Sequence, residues 1–184
     1  MPGLIDAHGH LSNLGGLLTG RLALMDTRSF AEVVDLVKAR AAKAPPGEWI
    51  LGGRWDQANW GQKEYPTHEV LSAAVPRHPV WLTRVDGHMG LANLKAMELA
   101  GISRSTADPA GGEILKGPDG GPNGLFVDNA VDIVISRIRA AGAGFAERVL
   151  AAQAACLKAG LTSVHDAGVA TSHLDAYRAL DDGR

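Results

Sequence analysis

Leu4-Ile-Asp-Ala-His-Gly-His10 is the stretch from which the rest of the chain is read. Leu4 and Ile5 open a short apolar run of the kind that forms a buried strand, and the run ends in Asp6, His8 and His10. Side chains alternate across an extended strand, so these three residues would share one face. Two imidazoles on one face can each give a nitrogen to the same metal ion. Gly9 between them removes side-chain bulk and lets the backbone bend where the strand stops. A bare His-x-His is a weak pattern, and two partly exposed histidines at a strand end are its competing reading.

Length and composition narrow the classes. The 184 residues suffice for one domain with a sizeable core, or one domain plus a small appendage. The composition, 46% hydrophobic and 21% charged, is that of a soluble globular protein. A formal net charge of −2 leaves no electrostatic footprint for nucleic acid or an anionic membrane. No apolar run approaches a membrane span and no basic-then-apolar leader precedes Pro2, so a cytoplasmic protein is expected. The single Cys156 excludes an internal disulfide and a cysteine-based zinc site.

Periodicity and turn chemistry divide the chain. Leu11 to Thr27 is rich in Gly and Leu without a clear period and reads as loop with at most a helical turn. Ser29-Phe-Ala-Glu32 is a capping box, followed by Phe30, Val33, Val34, Val37 and Ala41 at helical spacing, and Pro45-Pro46 ends that helix. Trp49 to Arg54 and Pro79 to Arg84 read as strands, with a short helix near Thr67–Ala74 between them. A helix from about Leu91 to Ala100 should close on Gly101. Gly111 to Lys116 and Gly124 to Val127 flank a Gly-Pro-Asp-Gly-Gly-Pro-Asn turn and read as a hairpin. Asp128 can cap the next helix, with apolar face Val131, Val134, Ile135 and Ile138. A further helix over Ala146–Ala159 ends at Gly160. Leu161 to Asp166 has the character of a parallel strand, and Ser172 can cap a last helix through Leu180.

Pro2-Gly-Leu-Ile-Asp-Ala-His-Gly-His-Leu11 resembles the first barrel strand of the metal-dependent amidohydrolase superfamily. Four further stretches, in the same order, resemble its family 3 branch, which includes N-substituted formamide deformylases. They are Gly53 to Asp56, Pro79 to Asn93, Gly111 to Ala130 and Gly160 to Gly168. The resemblance implies an α/β chain carrying the first two strands of a TIM-type barrel, near Leu4–His8 and Leu161–Asp166, with a long α/β insertion between them. The expected division is residues 1–10, an insertion over 11–144, and 145–184. Family members have a small β-sandwich before this stretch and further strands after it. A closed barrel takes eight strands and about 250 residues. The sequence therefore reads as a truncated form, inactive by itself.

The chemistry implied by the resemblance is hydrolysis of a C–N bond in a small amide or formamide, assisted by a divalent metal. His8 and His10 are the expected ligands, and zinc, with iron the alternative, is the expected ion. A catalytic zinc needs three protein ligands and an open position, so a third ligand has to be found. His165 and Asp166 close the second strand, where barrel enzymes place their chemistry. Against this, a core histidine bonded to a backbone carbonyl is the readier reading of His165, and Asp166 reads equally as a turn cap. Asp86 and His88 lie at a strand-to-helix junction, and the resemblance favours them as substrate-binding residues. Asp128 is a catalytic candidate whose competing role is a helix cap. Trp55 is a candidate pocket wall, whereas Trp49 and Trp81 read as strand core. The competing function is a catalytically inactive fragment that folds by oligomerising through its unpaired strand edges, and a homo-oligomer is expected.

Overall fold

The computed structural model describes residues 3–61, 64–140, 144–169 and 171–182, and for Arg139, Ala140 and Ser172 the backbone alone. The cap expected from Ser172 falls outside the described side chains. The chain is mixed α/β and forms two compact units, one from Met1–Arg21 and Ala143–Arg184, the other from Leu22–Gly142.

In the first unit, strand β1 (Leu4–Gly9) is followed directly by helix α1 (Leu11–Leu18). That helix replaces the loop expected from the sequence. Its Gly15-Gly16 pair suggests a break, but both glycines are buried. A Cβ on Gly15 would sit 1.9 Å from the Arg148 carbonyl oxygen, so the glycine lets another helix backbone come close. That other helix is α6 (Phe145–Lys158), which leads through Gly160 at φ +83° into β8 (Leu161–Asp166) and then α7 (Thr171–Asp182). Strands β1 and β8 pair in parallel, Leu4 opposite Leu161 and Gly9 opposite Asp166, with two shifts of register along the way. The two form a sheet of their own. No closed barrel is present among the described residues.

The second unit is a six-stranded sheet in the order β2-β3-β4-β5-β7-β6. Its strands are β2 (Leu22–Ala23), β3 (Ile50–Trp55), β4 (Val80–Arg84), β5 (Met89–Ala92), β6 (Gly112–Lys116) and β7 (Pro122–Asp128). The first three run parallel and the other pairings are antiparallel. The expected hairpin is β6–β7.

Alternation along these strands builds two cores. Val80, Leu82, Leu91 and Leu125 face one side, where they meet Val33, Val34 and Val37 of α2 (Phe30–Ala41) and Leu71 of α3 (His68–Ala74). Trp81, Ala92 and Phe126, their sequence neighbours, face the other side. There they meet Ala96, Met97 and Ala100 of α4 (Leu94–Ala100) and Val134 of α5 (Val131–Ala140). Each fully buried Leu or Phe removes enough apolar surface from water to favour folding by about 1.5–3 kcal/mol.

Helix starts follow local chemistry. The Ser29 hydroxyl accepts the Glu32 N–H at 3.1 Å, while the Glu32 carboxylate accepts the Arg28 N–H at 2.7 Å. Leu91 belongs to β5 and not to the following helix. Asn93 sets that boundary, its Oδ1 accepting the Ala96 N–H of α4 at 3.0 Å. Gly101 closes α4 at φ +72°, as its position in the sequence suggests.

Candidate functional site

Two groups of polar side chains stand at strand ends, one in each unit. The first lies where β1 runs into α1. His8 is the last residue but one of the strand, and His10 occupies the N-cap position of α1, its carbonyl accepting the Leu14 N–H at 3.0 Å. Strand alternation therefore does not orient His10; the start of the helix does. Both histidines are exposed, with ring centroids 5.4 Å apart and planes at 88°. Asp6 does not join them. Its Oδ1 turns back to accept the His8 backbone N–H at 3.0 Å, and so braces the strand end.

The spacing of the two rings is compatible with one divalent ion. Metal–nitrogen bonds of about 2.0–2.1 Å hold two imidazole centroids about 5 Å apart, close to the spacing observed. Neither ring is hydrogen-bonded within the described part of the chain, so nitrogens of both remain available. Space is kept beside His10 by Gly168, where a Cβ would lie 3.0 Å from His10 Nδ1. Among the described residues no cluster of three or more His, Cys, Asp or Glu side chains could hold a metal. His8 and His10 are therefore two neighbouring imidazoles with no third candidate ligand beside them among the described residues.

Neither candidate at the end of β8 completes it. The Asp166 carboxylate accepts the Tyr177 hydroxyl at 2.8 Å through Oδ2 and the Gly168 N–H at 3.3 Å through Oδ1. Asp166 is a clasp between β8 and α7. Burial, the hydrogen bond to Asp166 and its negative charge push the Tyr177 hydroxyl up to about 12. His165 is exposed on the same strand.

The second group lies on one edge of the six-stranded sheet, at the carboxyl ends of β3 and β4. Parallel pairing puts Trp55 opposite Arg84, and antiparallel pairing brings Met89 opposite Val127. Asp56, Arg84, Asp86, His88 and Asp128 therefore share this edge. The Arg84 guanidinium donates to Gln57 Oε1 at 2.9 Å, to Asp56 Oδ1 at 3.3 Å and to Asp86 Oδ2, and it lies 5.9 Å from the Tyr65 ring centroid. With both carboxylates engaged, Arg84 fastens this edge together. It was not singled out from the sequence, because its partners are spread over nearly thirty positions.

Asp86 closes the β4–β5 turn by accepting the backbone N–H groups of His88 at 2.9 Å and Met89 at 3.4 Å. Desolvation opposes its charge, but those N–H groups and Arg84 outweigh it and hold the carboxyl below the usual carboxylate range. His88 Nδ1 is 2.9 Å from Asp128 Oδ1. Asp128 does not cap α5 as its position suggests; its side chain is engaged by a histidine forty positions earlier in the chain. Trp55 is no pocket wall. It is 1% exposed, its ring is stacked on Trp60 at 5.8 Å, and its indole N–H donates to the Leu82 carbonyl at 2.8 Å. Both its apolar and polar groups are used in the core.

Residues 1–183 match the amidohydrolase family. The chain belongs to that family. Among curated relatives of this amidohydrolase chain, Protein LONG AFTER FAR-RED 3 of Arabidopsis thaliana is 39% identical over 91% of it, and N-substituted formamide deformylase of Arthrobacter pascens 31% identical over 98%. The chain spans 29% and 34% of these two proteins' lengths. A solved structure of an uncharacterized metal-dependent hydrolase from Pyrococcus furiosus superposes with a TM-score of 0.66 at 26% identity, over all of this chain and 36% of that one. No helix among the described residues is long and apolar enough to cross a membrane.

Proposed function

We propose that the protein is a metal-dependent hydrolase of C–N bonds in small amides, with N-substituted formamides the leading class. The 5.4 Å spacing of the His8 and His10 rings, in an amidohydrolase-family chain, carries this reading. The formamide assignment draws on the resemblance to the Arthrobacter pascens enzyme. On this reading β1 and β8 are the first two strands of a TIM-type barrel, and zinc, with iron the alternative, is the ion held by the two histidines. The protein works in the cytoplasm.

A bound divalent ion supplies Lewis acidity to the amide carbonyl. The residues of this chain provide the setting. His8 and His10 bind through neutral imidazole nitrogens, Asp6 keeps His8 in place through its backbone N–H, and Gly168 leaves room beside His10. Asp166, tied to Tyr177 and to the Gly168 N–H, braces the neighbouring loop. In the second unit, Asp86 and Arg84 hold the turn that carries His88.

Elemental analysis of purified protein beside the His8→Ala/His10→Ala variant tests the proposal. Near-stoichiometric zinc or iron that disappears in the variant, together with loss of formamide hydrolysis, is expected. Equal metal content in both proteins would overturn it. The 65% exposure of both Leu4 and Ile5 favours a second reading, in which β1 is covered by a second copy of the chain and the isolated fragment is inactive. Light scattering that gives a stable monomer excludes that one.

A further inference from the structure

We infer that Arg21 and Arg148, both in the first unit, form a binding site for a phosphate group, free or on a small phosphomonoester. The site is built from residues that the histidine pair does not use.

The close approach of α1 and α6 brings the two side chains together. A Cβ on Gly16 would lie 2.9 Å from Arg21 Cδ and 3.7 Å from Arg148 Cδ, so both side chains cross the same glycine. Each is anchored through its backbone. The Arg21 N–H donates to the Gly16 carbonyl at 2.9 Å, and the Arg148 N–H to the Gly144 carbonyl at 2.8 Å. The Arg148 guanidinium also lies 5.8 Å from the centroid of the Phe145 ring, within reach of its negative face. His173 stacks on that ring at 4.0 Å between centroids, and its Nδ1 is buried without a partner among the described residues. Both arginines are half-buried, which leaves their guanidinium ends open to a solute.

No described carboxylate balances the pair. Nε of each arginine is buried and has no acceptor among the described residues. The charge that weighs on Arg21 is a second cation: burial, and after it Arg148, pull the Arg21 guanidinium below its ordinary value. Glu147, next to Arg148 in the chain, sends its Oε2 to within 3.2 Å of where a Gly144 Cβ would be. A buried N–H without an acceptor and two like charges held together both oppose folding. Leucine at either position would fill the space without those costs. A dianion offsets both. Phosphate groups carry close to two negative charges at neutral pH and at least three acceptor oxygens, and the planar guanidinium fork matches their geometry. A carboxylate brings a single charge and leaves one guanidinium unbalanced.

The test titrates the intact protein, in chloride buffer, with inorganic phosphate and with glycerol 3-phosphate by calorimetry, and follows Tm alongside. We expect saturable binding of one anion per chain and a Tm that rises with it. The tighter of the two ligands names the source. Arg21→Gln and Arg148→Gln should each weaken binding by about 10- to 100-fold, the factor carried by hydrogen bonds to a charged group. In phosphate-free buffer their Tm should stay level or rise, because a repulsion has gone. Arg148→Lys keeps the charge without the fork and should recover only part of the affinity. The His8→Ala/His10→Ala variant should bind phosphate as the wild type does; loss of binding there would place the anion on the metal and overturn the proposal. Absence of saturable binding by about 10 mM would overturn it too. So would glutamine variants that lose Tm in phosphate-free buffer, since the guanidiniums would then already have a carboxylate partner. None of these readouts depends on hydrolysis, so the phosphate site and the proposed function stand or fall separately.

Discussion

Replacing Asn93 by alanine should destabilise the second unit by about 3–5 kcal/mol. Asn93 is fully buried, and its amide serves four backbone groups. Oδ1 accepts the N–H of Val80 at 2.9 Å and of Ala96 at 3.0 Å; Nδ2 donates to the carbonyls of His78 at 2.9 Å and Val75 at 3.4 Å. Val75 O also accepts the His78 N–H, so it keeps a partner. Alanine leaves two buried donors and the His78 carbonyl without one. At about 1–3 kcal/mol for each buried group left unpaired, partly offset by local relaxation, the loss reaches 3–5 kcal/mol. That is a large share of the roughly 5–15 kcal/mol stability of a domain. All four tryptophans, Trp49, Trp55, Trp60 and Trp81, belong to the second unit, so fluorescence during urea unfolding follows it selectively. With a slope of about 2 kcal/mol/M, the midpoint should fall by about 1.5–2.5 M. Asn93→Asp keeps both accepted bonds but sets a carboxylate against the His78 carbonyl, and should be nearly as damaging. A loss below about 1 kcal/mol for the alanine variant would refute the reasoning, because water would then have to satisfy the orphaned groups.

Two further predictions concern acidity. Ultraviolet titration should show one of the two tyrosines, Tyr177, ionising at about 12, and Asp166→Asn should move it down toward the ordinary tyrosine value. Because the folded-state value is raised, the stability from this contact is complete below pH of about 10 and is lost as pH rises through the folded value; an unshifted Tyr177 would disprove the clasp. Asp86 has the opposite sign: its lowered pKa stabilises the fold above the unfolded carboxylate value, about 3.9, and the contribution is lost as pH falls from there through the folded value. Asp86→Asn should therefore flatten the acid limb of the stability curve while leaving the alkaline limb unmoved, and parallel curves would exclude the assignment.

Features decided within a few residues were legible in the sequence. The Ser29 cap, the Gly101 stop, the β6–β7 hairpin and the parallel strand over Leu161–Asp166 depend on neighbours in the chain, and they are present. Features decided by distant partners were not. Gly15-Gly16 signals a loop unless another helix needs the space, and Arg148 comes from far along the chain. The all-buried run Met89–Ala92 has no polar face to separate strand from helix. Asp128 and Asp166 looked like caps or acids because their partners, His88 and Tyr177, are set by tertiary pairing. Trp55 looked like a pocket wall because nothing local shows that Leu82 takes its indole N–H. His8 and His10 stood out for the opposite reason: their spacing is itself local.

The parallel pairing of β1 with β8 also has a consequence for synthesis on the ribosome. β1 leaves the exit tunnel well before β8, and Leu4 finds its place opposite Leu161 only after the intervening chain has been made. At about 5–20 residues per second, the delay for about 150 residues is roughly 8–30 s. The second unit, continuous from Leu22 to Gly142, is complete before β8 emerges. Through that interval the histidine motif rides on a strand whose backbone N–H and C=O groups lack the partner that β8 later supplies, so the nascent chain exposes an open strand edge.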